Sequence, residues 1–188
     1  MKFLKLSLAS LAVSTALFAG NYNIDASHTN AGFTVKHMMI TNVTGKFNDV
    51  AGSFEFDEKT KTLKSISGEI VTASIDTSNE KRDEHLKAPE LFDATQFPKI
   101  TFKSTKIEKN RVQGELTMKG VTKVVTLDLE TSDVIKDPWG KQRTGFSLNG
   151  KIKRSDFGIS WNKALETGGV AVSDEVKLNI DIEGILAN

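Results

Sequence analysis

Hydrophobic and polar residues alternate with a period of two along most of this chain. In the range Val50–Asp57, Phe54 and Phe56 fall on one face, whereas Ser53 and Glu55 fall on the other. Such alternation is typical of β-strands with one buried face, because successive side chains point to opposite sides of a strand. The same pattern predicts further strands over residues 22–25, 31–36, 63–76, 99–108, 111–119, 121–131, 144–153 and 176–182.

The number of strands and the short turns between them predict a closed barrel. Strands that follow one another through short turns pair antiparallel, and about eight of them can avoid open sheet edges by closing on themselves. We therefore predict an all-β fold with one or two short helices, built as an eight-stranded antiparallel up-and-down barrel. A two-sheet sandwich is the structural alternative. Several predicted strands have ten or more residues, and such depth favours a central, elongated apolar cavity over a solid interior.

One stretch, Ser74–Pro98, departs from the strand pattern and predicts a helix. Thr77 or Ser78 is expected to cap the helix N-terminus, because a hydroxyl can accept a hydrogen bond from a free backbone N–H. Pro89 is expected to end the helix near Ala88, because proline lacks the N–H that a helix interior needs. We expect this helix to act as a flap or plug beside the barrel.

The first nineteen residues predict a secretory signal peptide. Lys2 and Lys5 precede the apolar run Leu6–Phe18, and a small residue, Ala19, precedes the expected cleavage point. The apolar run is shorter than the roughly 20 residues that span a bilayer. An uncleaved anchor is the alternative. Residues 1–19 are thus predicted to be removed on export, and residues 20–188 to form one soluble domain.

Composition excludes several classes of protein. The chain has no cysteine, so no disulfide framework is expected, and its net charge of +1 without a basic stripe argues against nucleic-acid binding. Its eleven phenylalanines, against one tyrosine and two tryptophans, suit a core or an apolar pocket. The three histidines have no metal-ligand spacing, and no nucleophile motif is present. We therefore expect no metal, no cofactor and no catalytic residues.

Several short motifs occur in an order that is typical of one protein family. They are Tyr22–His28, Phe33–Met38, Gly45–Phe47, Ser74–Thr77, Arg82–Leu86, Phe97–Pro98, Gly114–Thr122 and Arg154–Gly158. Together they resemble the YceI family of exported, lipocalin-like proteins, from about Tyr22 to Glu183. The resemblance implies a lipocalin-like barrel with a long apolar pocket and a helix packed against it. It also implies a periplasmic binding protein for a polyisoprenoid, fatty acid or fatty amide, often a homodimer and without stable membrane insertion.

Two other functions compete with lipid binding. A lipid-modifying enzyme, such as a hydrolase or isomerase, could use the same pocket, but it would need an acid–base pair inside the barrel. A structural or stress protein with a solid core would have no cavity.

The expected site has an apolar part and a polar part. Inward-facing strand residues and aromatic residues of the loops are expected to line or gate the pocket: Phe33, Val35, Phe54, Phe56, Phe92, Phe97, Phe102, Met118, Phe146, Phe157, Trp161 and Leu178. Four polar residues are candidates for contact with a lipid headgroup, namely His37, Arg82, His85 and Asn162. The charges of the helix could instead fix it to the barrel.

Overall fold

The computed structural model of the protein describes residues 19–166 and 168–187, and residues 1–18 of the predicted signal peptide lie outside this part. Twelve strands and one α-helix, α1 (Glu80–Lys87), are found there. The strands are β1 (Gly20–Ile24), β2 (Asn30–His37), β3 (Thr41–Phe47), β4 (Val50–Asp57), β5 (Thr62–Val71), β6 (Ile75–Asp76), β7 (Lys99–Glu108), β8 (Arg111–Met118), β9 (Val121–Thr131), β10 (Ile135–Lys136), β11 (Gln142–Lys153) and β12 (Val172–Leu186). Short 3₁₀ turns occupy Ala26–His28, Thr72–Ser74 and Arg154–Phe157. No helix in the described ranges is both long enough and apolar enough to cross a membrane.

The strands close into an eight-stranded antiparallel barrel. Three barrel strands are interrupted and consist of two pieces each: β1 with β2, β3 with β4, and β5 with β6. These are followed in order by β7, β8, β9, β11 and β12, and β12 returns to pair with β1 and β2. Every neighbouring pair is antiparallel, and β11 pairs with β12 from Arg143 to Lys153. The prediction of an up-and-down barrel is confirmed.

The differences from the sequence-based prediction include one missed strand and one strand that is broken in two. Strand β3 was not predicted, because its apolar alternation is interrupted by Gly45, where a side chain would collide with the ring of Phe33. The predicted strand over residues 63–76 is broken at Thr72–Ser74. There the Thr72 hydroxyl donates a hydrogen bond to the carbonyl of Phe97 at 2.8 Å, which ties the break to the end of the loop after α1.

One end of the barrel interior is packed solid. The ring of Tyr22 stacks on that of Phe54 at a centroid distance of 5.3 Å, and Phe146 meets Phe54 edge-on at 5.0 Å. All three side chains are almost fully buried. Leu63, Val112, Leu127 and other aliphatic residues fill the remaining space around them. The long strands therefore do not enclose one elongated cavity, since aromatic side chains close this half, which we call the packed end.

A polar cluster ties strands together on the outer face of the barrel near the packed end. Arg143 Nη1 donates to Asp25 Oδ2 at 2.7 Å and to Glu183 Oε1 at 2.6 Å, while its Nε donates to Asp137 Oδ2 at 2.7 Å. Asp25, Glu183 and His28 bring potential metal ligands within 4.8 Å of one another. Both of these carboxylates already accept from Arg143, so the guanidinium supplies the positive charge that they require.

Candidate functional site

The other half of the barrel encloses a cavity of about 300 Å³. Its walls come from β2, β3, β11, β12 and the loop between β11 and β12, and α1 with the segment after it covers one side. Most of the lining is apolar: Phe33, Val35, Val43, Phe47, Leu86, Leu91, Phe92, Met118, Ile152, Ile159, Trp161, Ala171, Val172, Val176 and Leu178. Its polar lining consists of Thr77, His37, Arg82, His85 and Arg154.

Strand register brings the apolar wall together. Val35 of β2 lies opposite both Val43 of β3 and Val176 of β12, and Phe33 lies opposite Leu178. All of these residues share the inward face, since residues two apart along a strand point to the same side. The cavity wall is therefore a continuation of the barrel's inner face.

The helix α1 is held over the cavity by hydrogen bonds at its N-terminus. Its N-cap is Asn79, whose side-chain oxygen accepts from the backbone N–H of Arg82 at 3.0 Å. The prediction that Thr77 or Ser78 would cap this helix is therefore wrong. Ser78 has a φ of 59°, which turns the chain so that Asn79 reaches the extended conformation that an N-cap requires.

Thr77 instead links the helix to the barrel. Arg82 donates from Nε to the Thr77 hydroxyl and from Nη2 to the Thr77 carbonyl, both at 2.7 Å. The Thr77 hydroxyl and backbone N–H in turn donate to Asp83 Oδ1. Thr77 directly follows β6, so Arg82 and Asp83 fix α1 to the barrel wall. At least part of the charge on this helix thus has a structural role.

His85 lies between the cavity lining and the outer surface. Its ring contacts the Trp161 ring edge-on at a centroid distance of 4.9 Å, and its Nε2 lies 3.1 Å from Glu90 Oε1. The helix and the β11–β12 loop therefore meet above the cavity through these two aromatic rings.

The structure places nine of the sixteen predicted site residues in the cavity lining. Six belong to the apolar set: Phe33, Val35, Phe92, Met118, Trp161 and Leu178. Three belong to the polar set: His37, Arg82 and His85.

The other seven predicted residues lie elsewhere. Phe54, Phe56 and Phe146 are buried in the packed end, and Phe102 packs against that cluster. Phe157 is buried against the aliphatic residues next to the cavity without lining it. The ring of Phe97 lies against Gly120. Asn162 uses its amide to donate to the Val172 carbonyl and to accept from the Val172 N–H, which shapes the loop.

These differences have a common physical cause. A period of two tells which face of a strand points inward, but it carries no information about depth along the barrel axis. Phe54 and Phe33 are both inward-facing, yet one lies in the packed end and the other in the cavity wall. Val43 and Phe47 were missed together with β3. Arg154, which the sequence analysis named only as part of a family motif, was missed as a lining residue.

Comparisons with known proteins agree with this architecture. A family model described as the YceI-like domain matches residues 22–184. A UPF0312 protein of Staphylococcus aureus strain N315 is 38% identical over 164 residues, which cover 87% of this chain and 96% of that protein. The crystal structure of the Campylobacter jejuni YceI protein is 34% identical, covers 100% of both chains and has a TM-score of 0.69.

More distant structures share the fold. BcnA of Burkholderia cenocepacia is 24% identical with a TM-score of 0.69, over 85% of this chain and 98% of BcnA. A polyisoprenoid binding domain from Saccharophagus degradans is 16% identical with a TM-score of 0.67, over 88% of this chain and 98% of that domain. At these identities the likeness concerns the fold alone. Since the family model covers most of the sequence, the chain belongs to the YceI-like domain family.

Proposed function

We propose that the protein is a binding protein that carries a long-chain amphiphilic lipid, such as a polyisoprenoid, a fatty acid or a fatty amide. The apolar cavity of about 300 Å³ beneath α1 is the observation that carries this proposal. Its volume lies at the lower end of the roughly 300–1,000 Å³ that is typical of ligand pockets. The Saccharophagus degradans protein that shares this fold is a polyisoprenoid binding domain, which is consistent with a lipid ligand.

The chemistry of the lining favours binding over catalysis. A hydrolase or isomerase would need a nucleophile or a poised acid–base pair against the ligand. The described lining residues include two arginines and two histidines, but no serine, lysine or carboxylate. The lining therefore supports a carrier better than it supports the enzyme alternative.

Location and assembly are part of the proposal. The pattern of residues 1–19 supports export, and we propose that the mature domain of residues 20–188 acts in the periplasm. We further propose that it forms a homodimer. N-terminal sequencing of the purified protein together with its native mass tests both points. An N-terminus that retains residues 1–19, or a monomeric mass at micromolar concentration, would contradict them.

The size of the cavity makes a prediction about the lipid tail. Each buried methylene contributes about 0.8 kcal/mol, so affinity should rise about fourfold per carbon until the tail reaches the packed end. Once the cavity is filled, the affinity should level off, because the remaining chain stays at the mouth.

Titration calorimetry with the saturated fatty acids from octanoic to hexadecanoic acid tests this directly. A rise that continues unchanged to hexadecanoic acid would mean that the packed end opens for the ligand. A protein that binds none of these acids and co-purifies with no lipid on native mass spectrometry would refute the carrier function itself.

A further inference from the structure

Charge is distributed asymmetrically around the cavity. The ionisable side chains among its described lining residues are His37, Arg82, His85 and Arg154, and neither aspartate nor glutamate occurs among them. Two carboxylates near the cavity already have protein partners. Asp83 accepts from Thr77, and Glu90 Oε1 lies 3.1 Å from His85 Nε2. A ligand in the cavity therefore meets side chains that can only be neutral or positive.

Arg154 is the most deeply buried of these cations, with 8% of its surface exposed. Its Nε donates to the Ser173 carbonyl at 3.1 Å, and its Nη1 donates to the carbonyls of Ile159 and Trp161, both at 2.8 Å. These three bonds orient the planar guanidinium and fasten the β11–β12 loop to the start of β12. The side chain is thereby held in one place before any ligand arrives.

One side of this guanidinium has no protein partner in the described part of the chain. The bonds above engage Nε and Nη1, and none engages Nη2, although an arginine has five N–H donors. Every fully buried side-chain nitrogen or oxygen in the described residues has a hydrogen-bond partner. Since Nη2 has none, this atom must be at least partly accessible. Since Arg154 lines the cavity, we infer that Nη2 faces this space.

The positive charge of Arg154 is only weakly balanced by its surroundings. Its bonded partners are neutral carbonyls, and the neighbouring Asp174 accepts instead from the backbone N–H and hydroxyl of Ser155, at 3.0 and 2.7 Å. Burial lowers the pKa of Arg154, which reflects the cost of holding this cation away from water, yet arginine remains protonated at physiological pH. An anion next to Nη2 would offset this cost.

We propose that the amphiphile bound in this cavity carries an anionic head, a carboxylate or a phosphate, that accepts hydrogen bonds from Nη2 of Arg154. The inference rests on the proposed function and adds the class of headgroup to it. An oxygen of a carboxylate or phosphate can accept a hydrogen bond from an N–H group of Nη2, and charge-assisted hydrogen bonds are stronger than neutral ones. The apolar wall of β2, β3 and β12 would then hold the tail.

The test compares decanoate with decanamide on the wild-type protein, at mildly alkaline pH where the acid is ionised. The two ligands have the same chain length and nearly the same shape, so the difference in their dissociation constants reports the headgroup charge. We expect decanoate to bind at least about tenfold more tightly. Equal affinity, or tighter binding of the amide, would overturn the anionic headgroup while leaving the carrier function intact. Failure of both ligands, in a protein that also binds none of the longer fatty acids and co-purifies with no lipid, would refute the carrier function instead.

Decyl phosphate as a third ligand distinguishes the two anionic heads. Tighter binding of decyl phosphate than of decanoate would identify a phosphate as the preferred head, and the reverse order would identify a carboxylate. Either result supports the proposal, provided that both anions bind more tightly than decanamide.

Variants test whether Arg154 causes the preference for decanoate over decanamide. In Arg154→Gln, whose amide preserves some hydrogen bonding, we expect the preference for decanoate over decanamide to fall to less than about twofold while decanamide still binds. Arg111→Gln is the matched control, since Arg111 is exposed, pairs with Asp128 and does not line the cavity, so this variant should retain the preference. A preference that persists at the wild-type level in Arg154→Gln would overturn the assignment to Arg154. If Arg154→Gln does not fold, the wild-type comparison still decides the class of headgroup.

Discussion

At Gly184, the absence of a side chain allows the ring of Phe54 to lie against β12. A Cβ at this position would overlap the Phe54 ring and would also approach Tyr22 Cβ at 3.1 Å. Phe54 stacks on Tyr22 and meets Phe146 edge-on, so a displaced Phe54 ring would disturb the whole aromatic group that closes the packed end. The absence of a side chain at Gly184 thus allows the aromatic side chains to fill this end of the barrel.

Gly184→Ala should lower the free energy of unfolding by about 1–3 kcal/mol, the usual cost of overpacking a filled core. The matched control is Gly68→Ala, in β5, where the atom closest to an added Cβ is the Ala51 carbonyl oxygen at 3.7 Å. This control should change stability by less than about 0.5 kcal/mol. Urea unfolding followed by tryptophan fluorescence measures both. Equal destabilisation by the two substitutions would show that packing around Phe54 is not tight.

At the scale of secondary structure, α1 decides how the cavity is covered. The helix has only eight residues, which is too short for stability by itself in water. It depends on the Asn79 cap and on the bonds between Arg82, Asp83 and Thr77. It also carries the cavity-lining residues Arg82, His85 and Leu86. Loosening its N-terminus should therefore open the cavity.

Asn79→Ala should weaken the first turn of α1 by about 1 kcal/mol, because the orphan N–H of Arg82 loses its acceptor. We expect faster amide hydrogen exchange in residues 80–87 and a faster dissociation of bound fatty acid, with little change in the barrel strands. Asn79→Asp keeps an oxygen acceptor and serves as the control. Hydrogen exchange that rises equally in the control would contradict the capping role.

At the scale of the whole molecule, Arg143 joins segments that are far apart in sequence. Its three carboxylate partners come from the residue after β1, from the turn before β11 and from β12. Hydrogen bonds from Ser27, His28 and Arg143, in that order of importance, lower the pKa of Asp25. The hydrogen bond from Arg143 is the largest cause of the lowered pKa of Asp137. The stability that this cluster contributes should therefore depend on pH.

Arg143→Met should lower the melting temperature at neutral pH, because two half-buried or buried carboxylates lose their cation. The carboxylates stabilise the fold at pH values above the unfolded aspartate pKa of about 3.9, and this stabilisation is lost as the pH falls towards their lower folded pKa values. The difference between wild type and variant should thus shrink below about pH 4.

The control for Arg143→Met is Lys151→Met, which removes an exposed ion pair with Glu175 between the same two strands. Exposed pairs contribute little, so its melting temperature should stay close to that of the wild type at every pH. A loss in Arg143→Met that persists undiminished in acid would show that the carboxylates are not its origin.

Sequence patterns predicted much of the barrel and part of the site. The strands β4, β7 and β9 were predicted with their observed bounds, since alternating residues mark most of each strand. Strand β3 was not predicted, because Gly45 interrupts the row of apolar residues on its inner face. The cavity residues on β2 were predicted by the same alternation, whereas the burial of Arg154 was not, because charged residues are rarely buried without a partner.

The sequence by itself determined which faces of the strands point inward and that neighbouring strands pair into an up-and-down barrel, because both follow from local alternation and short turns. Only the tertiary structure decided that Tyr22, Phe54 and Phe146 fill one end while Phe33 and Leu178 line an open space. That division depends on strand register and on contacts between residues far apart in the chain. It also placed Arg154 in the cavity lining, and this position follows from the packing of the β11–β12 loop and not from any pattern in the sequence.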